Sequence, residues 1–178
     1  MNPKSILIFC SGLVVPFVLG FGFLLAGGMP VATKGAPLPL ERTIAGLAIH
    51  AAMRGEEGKT SPVPSDAANL LAGVKNYRKN CQVCHGGIES QPTAIAKGLF
   101  PKPPQLFAPD HGVTDDPIGE IFWKIKNGIR LTGMPGYSES LSDQEVWQVS
   151  QLLVTADKLP PEVQAELRAE VQTENPAR

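Results

Sequence analysis

The chain of 178 residues carries a net charge of −1, with 43% hydrophobic and only 6% aromatic residues. That length accommodates one domain of ordinary size, about 100–150 residues, with further segments around it. A near-neutral balance, with no basic patch interleaved with aromatics, excludes nucleic acid as a partner.

The first predicted element is an N-terminal transmembrane helix within residues 1–29. No charged residue occurs from Ile6 to Met29, and a spanning helix needs ~20 predominantly apolar residues. Lys4 ahead of the run favours a cytoplasmic N-terminus. A cleaved secretory signal is the competing reading, but its apolar core normally runs to only ~7–15 residues. Either way the remainder is exported. Residues 30–64 read as a spacer punctuated by Pro30, Pro37, Pro39, Pro62 and Pro64, with a short helix predicted over 40–54 that places Ile44, Leu47, Ala48 and Ala51 on one face.

The folded unit is predicted over residues 65–158. Ser65 reads as the N-cap of a helix whose apolar face is Ala67, Leu70, Val74, Tyr77 and Cys81. It delivers the run Cys81-Gln82-Val83-Cys84-His85. Two cysteines separated by two residues, with histidine immediately after, form the pattern of covalent c-type haem attachment. Each thiol adds to one vinyl group of the porphyrin, and His85 is held against the ring face as the proximal iron ligand. A structural zinc site needs about four N or S ligands, yet beyond these three the chain offers only Cys10, His50 and His111, none in a paired spacing. A thioredoxin-like redox pair would want a βαβ context that the sequence lacks. A Cys81–Cys84 disulfide would close a small, strained ring.

Residues 86–116, rich in Gly and Pro, read as loop; a large flat cofactor gives so long a loop something to fold around. Asp116-Pro117 reads as an N-cap with proline at the first helical position. The helix it opens carries Ile118, Ile121, Phe122 and Ile125 and stops at Gly128. In the next loop Met134 stands between Gly133 and Pro135, and the proline biases it toward an extended backbone. Met134 is the leading candidate for the second axial ligand, ahead of His111 and of an open site. A capping box, Ser142 with Glu145, and a Leu141–Val146 staple open the last major helix. Residues 159–178 form a charged C-terminal tail with a short exposed helix over 162–172. No strand pattern appears, and the fold class is all-α.

With these motifs in place, residues 65–157 resemble the class I c-type cytochromes, in particular small membrane-anchored bacterial ones similar to the domains of cbb3-type oxidase subunit III. Gly73 and Tyr77, eight and four residues before Cys81, stand where the family crosses its first and last helices. Trp147 matches the aromatic of the last helix, whereas Leu152 stands where the family often has tyrosine. The resemblance implies a small cytochrome c fold wrapped around one haem c. It further implies that a proline carbonyl, Pro104 ahead of Pro103, accepts a hydrogen bond from His85 Nδ1–H. Arg130 is the candidate to neutralise a haem propionate, and Trp123 and Tyr137 are candidates to pack near the ring.

A His85/Met134 pair would raise the reduction potential and close the iron to small molecules. The expected function is therefore electron transfer: a membrane-anchored monohaem cytochrome c at the bacterial inner membrane, its haem domain in the periplasm. It would shuttle single electrons between redox partner proteins or serve as a subunit of a membrane electron-transport complex. No nucleophile–base pair is visible, so no catalysis of its own is expected. The alternative is a haem-based peroxidase or gas sensor with an open distal iron site. Around the ring, Lys97, Lys102, Lys124 and Lys126 oppose Asp110, Asp115, Asp116 and Glu120, so no sign for a docking surface emerges.

Overall fold

A run of apolar residues with no polar face gives α1, Pro3–Leu25, whose N-cap Asn2 accepts from the Lys4 amide. The computed structural model describes residues 2–108 and 112–169, without the side chains of residues 5–8 and 10. The chain divides into two compact units, Met1–Arg42 and Thr43–Arg178. Within the first, α1 exposes Leu13, Phe17, Leu19, Phe21 and Leu25. Among the described residues no helix is long and apolar enough to cross a membrane; the span predicted from the sequence is therefore not established by the fold. The short helix of the spacer is α2, Glu41–Ala52, and it buries none of its side chains.

Besides most of α2, the second unit holds the helices α3 (Ala67–Asn80), α4 (Gln82–His85), α5 (Ala94–Gly98), α6 (Ile118–Asn127), α7 (Asp143–Val154) and α8 (Pro161–Arg168), and no strand occurs among the described residues. The N-cap of α3 is Asp66, which accepts from the Asn69 amide at 2.9 Å; the carboxylate one residue after Ser65 takes the capping role predicted for that serine. Apolar residues at three- and four-residue intervals bury Leu70, Val74 and Tyr77 against Val146, Val149 and Leu153 of α7. The crossing is close because Gly73 has no side chain: a Cβ there would overlap the backbone carbonyl of Gln148. Phe122 of α6 stacks on Trp147 of α7, with ring centroids 4.0 Å apart.

Two further expectations need correction. The proposed cap of α6 is displaced: Pro117 itself occupies the N-cap without a side-chain bond, and the Asp116 carboxylate turns to Lys124 Nζ at 3.0 Å. The tail helix, predicted as exposed over 162–172, docks by one edge, and residues 170–172 lie outside the described residues. In α8, Val163 and Leu167, four residues apart, are buried in the core, and Glu166 pairs with Arg78 of α3 at 2.7 Å. Burying two such side chains contributes about 1.5–3 kcal/mol each, enough to hold a short charged helix on the domain.

Candidate functional site

The last turn of α3 passes into α4 through Cys81, whose carbonyl accepts from the amides of Cys84 and His85. A single helical turn places positions i, i+3 and i+4 on one face, so the two thiols and the imidazole project together. Gly86, at φ 70, ends that turn in a left-handed conformation that suits glycine. The following loop then ties itself to the turn. Thr93 Oγ1 donates to the Val83 carbonyl at 2.6 Å, Gln105 Nε2 to Cys84 at 3.1 Å and the Leu106 amide to His85 at 3.1 Å. The buried Tyr77 hydroxyl donates to the Gly86 carbonyl at 2.7 Å. Within residues 86–116, read as loop throughout, the structure places the short helix α5.

His85 Nδ1 lies 2.9 Å from the carbonyl oxygen of Pro104. A carbonyl only accepts, so Nδ1 carries the proton and Nε2 keeps its lone pair. Burial lowers the imidazole's pKa, against the opposing effect of the Pro104 bond. The neutral ring that a metal ligand must be is thereby favoured. Burial, and then the neighbouring Cys84, push the Cys81 thiol up to about 12.

A second segment, Ile129 to Tyr137, brings Met134. Its backbone is closed by bonds from the Ile129 amide to the Met134 carbonyl at 3.1 Å, from Thr132 Oγ1 to Ile129 at 2.7 Å and from the Met134 amide to Thr132 Oγ1 at 3.1 Å. The Tyr137 hydroxyl fastens the segment to the end of α3 through the Asn80 carbonyl, 2.7 Å away.

Cys81, Cys84, His85, Pro104 and Met134 all line one cavity of about 590 Å³, within the size range of cofactor sites. Most of the remaining wall is apolar, including Leu99, Leu106, Ile121, Ile125 and Val149. Tyr137 lines it as well, while Trp123 does not. Arg130 is exposed and stands outside the lining, although its neighbour Ile129 belongs to it. His111 and Asp110 lie outside the described residues. Sequence reasoning passed over Gln105, which braces the attachment turn, and counted Lys124 and Asp116 among docking-surface charges where the structure places them in the cavity wall. For Lys124 a signal existed: it follows Ile121 by three residues, which puts both on neighbouring faces of α6.

These residues fit a covalently bound haem: two free thiols on one helical face, an imidazole with Nε2 available and a thioether line an apolar chamber. They do not fit a closed zinc site, since among the described residues no three His, Cys, Asp or Glu side chains gather at a metal-sized position.

Residues 68–153 match the protein family described as cytochrome c oxidase, cbb3-type, subunit III. No curated protein sequence matches the chain. Among solved structures, a chain of the reducing HAO-like protein complex of Kuenenia stuttgartiensis is similar over 56% of this chain at 22% identity, with a TM-score of 0.46. The likeness spans about half, 48%, of that longer chain. Residues 68–153 thus form a class I c-type cytochrome domain, a unit that implies covalent haem c and electron transfer.

Proposed function

We propose that the protein is a membrane-tethered monohaem cytochrome c, with His85 and Met134 as axial ligands, passing single electrons between redox partners on the periplasmic side of an inner membrane. The observation that carries this reading is the shared cavity: the attachment turn and Met134 belong to segments some fifty residues apart in sequence, yet both line it. When bound, the haem supplies the reversible one-electron couple of its iron.

The chain's own groups do the rest. Cys81 and Cys84 fix the ring's position, and the Pro104 carbonyl orients His85 and raises its basicity as a ligand. The Met134 segment, braced by Thr132 and Tyr137, holds a soft sulfur that favours the reduced state. Leu99, Ile121, Ile125 and Ile129 give the chamber an apolar wall. Were His85 and Met134 both to hold the iron, no open site would remain for a substrate, and the protein would serve as a carrier. The tether is supported by the uncharged run from Ile6 to Met29 and by the exposed apolar side chains of α1.

The test is optical. The ferric protein is expected to show a weak sulfur-to-iron band in the far red, absent from Met134→Ala. Ferrous wild type that binds CO readily and lacks the band would instead point to a peroxidase or gas sensor with an open iron site.

A further inference from the structure

We propose that Lys124 is the residue that receives the carboxylate edge of the haem, and that Asp116 sets how much of its charge the haem feels. This deepens the haem reading and rests on it. A haem attached through its vinyl groups to Cys81 and Cys84 would carry its two carboxylates on the side of the ring remote from those thiols, and the chamber would have to meet that negative charge.

Among the described residues, the charged ones in the cavity wall are Lys102, Asp116 and Lys124. Lys102 is exposed, and Arg130, also exposed, is outside the wall. Lys124 differs from both: its side chain is only 26% exposed, with Asp116 Oδ2 at 3.0 Å and Glu120 Oε2 at 3.6 Å. Hydroxyl donors in the wall are already engaged, Tyr77 with Gly86, Tyr137 with Asn80 and Thr132 with Ile129. An ammonium has three N–H groups, and Asp116 takes one of them by hydrogen bond. Lys124 therefore keeps donor capacity at the chamber. Two carboxylates already face its single charge, so a third anion competes directly with Asp116 for it.

The electrostatic consequence has a sign. A positive charge near the iron favours the ferrous state, and a negative one the ferric. Removing Lys124 and removing Asp116 should therefore move the potential in opposite directions.

The experiment is a redox titration of the haem-loaded full chain at low and high salt. Lys124→Gln is expected to lower the midpoint potential and Asp116→Asn to raise it, with both shifts surviving high salt because the pair is partly buried. Lys102→Gln and Arg130→Gln are expected to shift it less, and only at low salt. If Lys124→Gln does not mature, Lys124→Arg must restore both maturation and a near-wild-type potential. Shifts of the same sign in Lys124→Gln and Asp116→Asn, no shift in either, failure of both lysine variants to mature, or a larger effect at Lys102 or Arg130 would overturn the assignment. Wild type without covalent haem after maturation in an exporting host sinks the haem reading itself; haem present with the wrong pattern of potentials sinks only Lys124.

Discussion

Tyr77 shows how single side chains hold the attachment turn. It is fully buried, and its ring meets Phe107 edge-on at 5.1 Å between centroids. Burial raises its hydroxyl pKa, with a smaller contribution from Cys81, so it stays protonated and acts purely as a donor to Gly86. Tyr77→Phe keeps the packing and removes that donor from a buried carbonyl, at a cost of about 1–3 kcal/mol. Chemical denaturation of the haem-loaded protein should show the loss, with the optical spectrum unchanged. A variant as stable as wild type would show that the bond contributes nothing. The haem-attachment residues were legible because their chemistry is local: Cys81, Cys84 and His85 share one turn, so spacing alone decides which face they occupy. The choice between Lys124 and Arg130 was not. Both are cations near the same loop, and only the docking of α6 on α7 puts one in the cavity wall and leaves the other in solvent.

At the scale of elements, local signals were readable where a helix end carries its own partners. The capping box of α7 is formed as its sequence implies, with Ser142 accepting from the Glu145 amide and the Glu145 carboxylate accepting from the Ser142 amide at 2.8 Å. The burial of α8 was hidden, because Val163 and Leu167 are two apolar positions in an otherwise charged segment, and burial of such a pair depends on the groove it meets. Ser142's amide, and then its hydroxyl, hold the Glu145 carboxyl below the usual carboxylate range. A lowered folded-state pKa means that the unfolded chain binds the proton more readily. The stabilisation is therefore present above the unfolded value, about 4.3, and is lost as pH falls through the folded one. Glu145→Gln should thus lower the melting temperature near pH 7 and approach wild type near pH 3. Equal gaps at both pH values would show that the carboxylate charge is not what stabilises the cap.

At the scale of the whole molecule, the chain divides between Arg42 and Thr43, with the proposed tether in the first unit and the cytochrome domain in the second. Every residue lining the cavity comes from Tyr77 onward, and every helix that braces it, α3 through α8, belongs to the second unit. Among the described residues, the cavity is lined by the second unit alone. Cofactor attachment and redox properties should therefore be indifferent to residues 1–42, whereas the proposed tether should depend on them entirely. A chain in which a cleavable export leader replaces those residues is expected to mature with covalent haem, showing the spectrum and midpoint potential of the full protein. It should leave the membrane for the soluble periplasmic fraction, while the full chain stays with the membrane through high-salt and carbonate washes. Loss of haem from the shortened chain would mean that the second unit does not fold alone. A full chain released by the washes would remove the tether from the proposed function and leave a freely diffusing carrier, with the haem chemistry untouched.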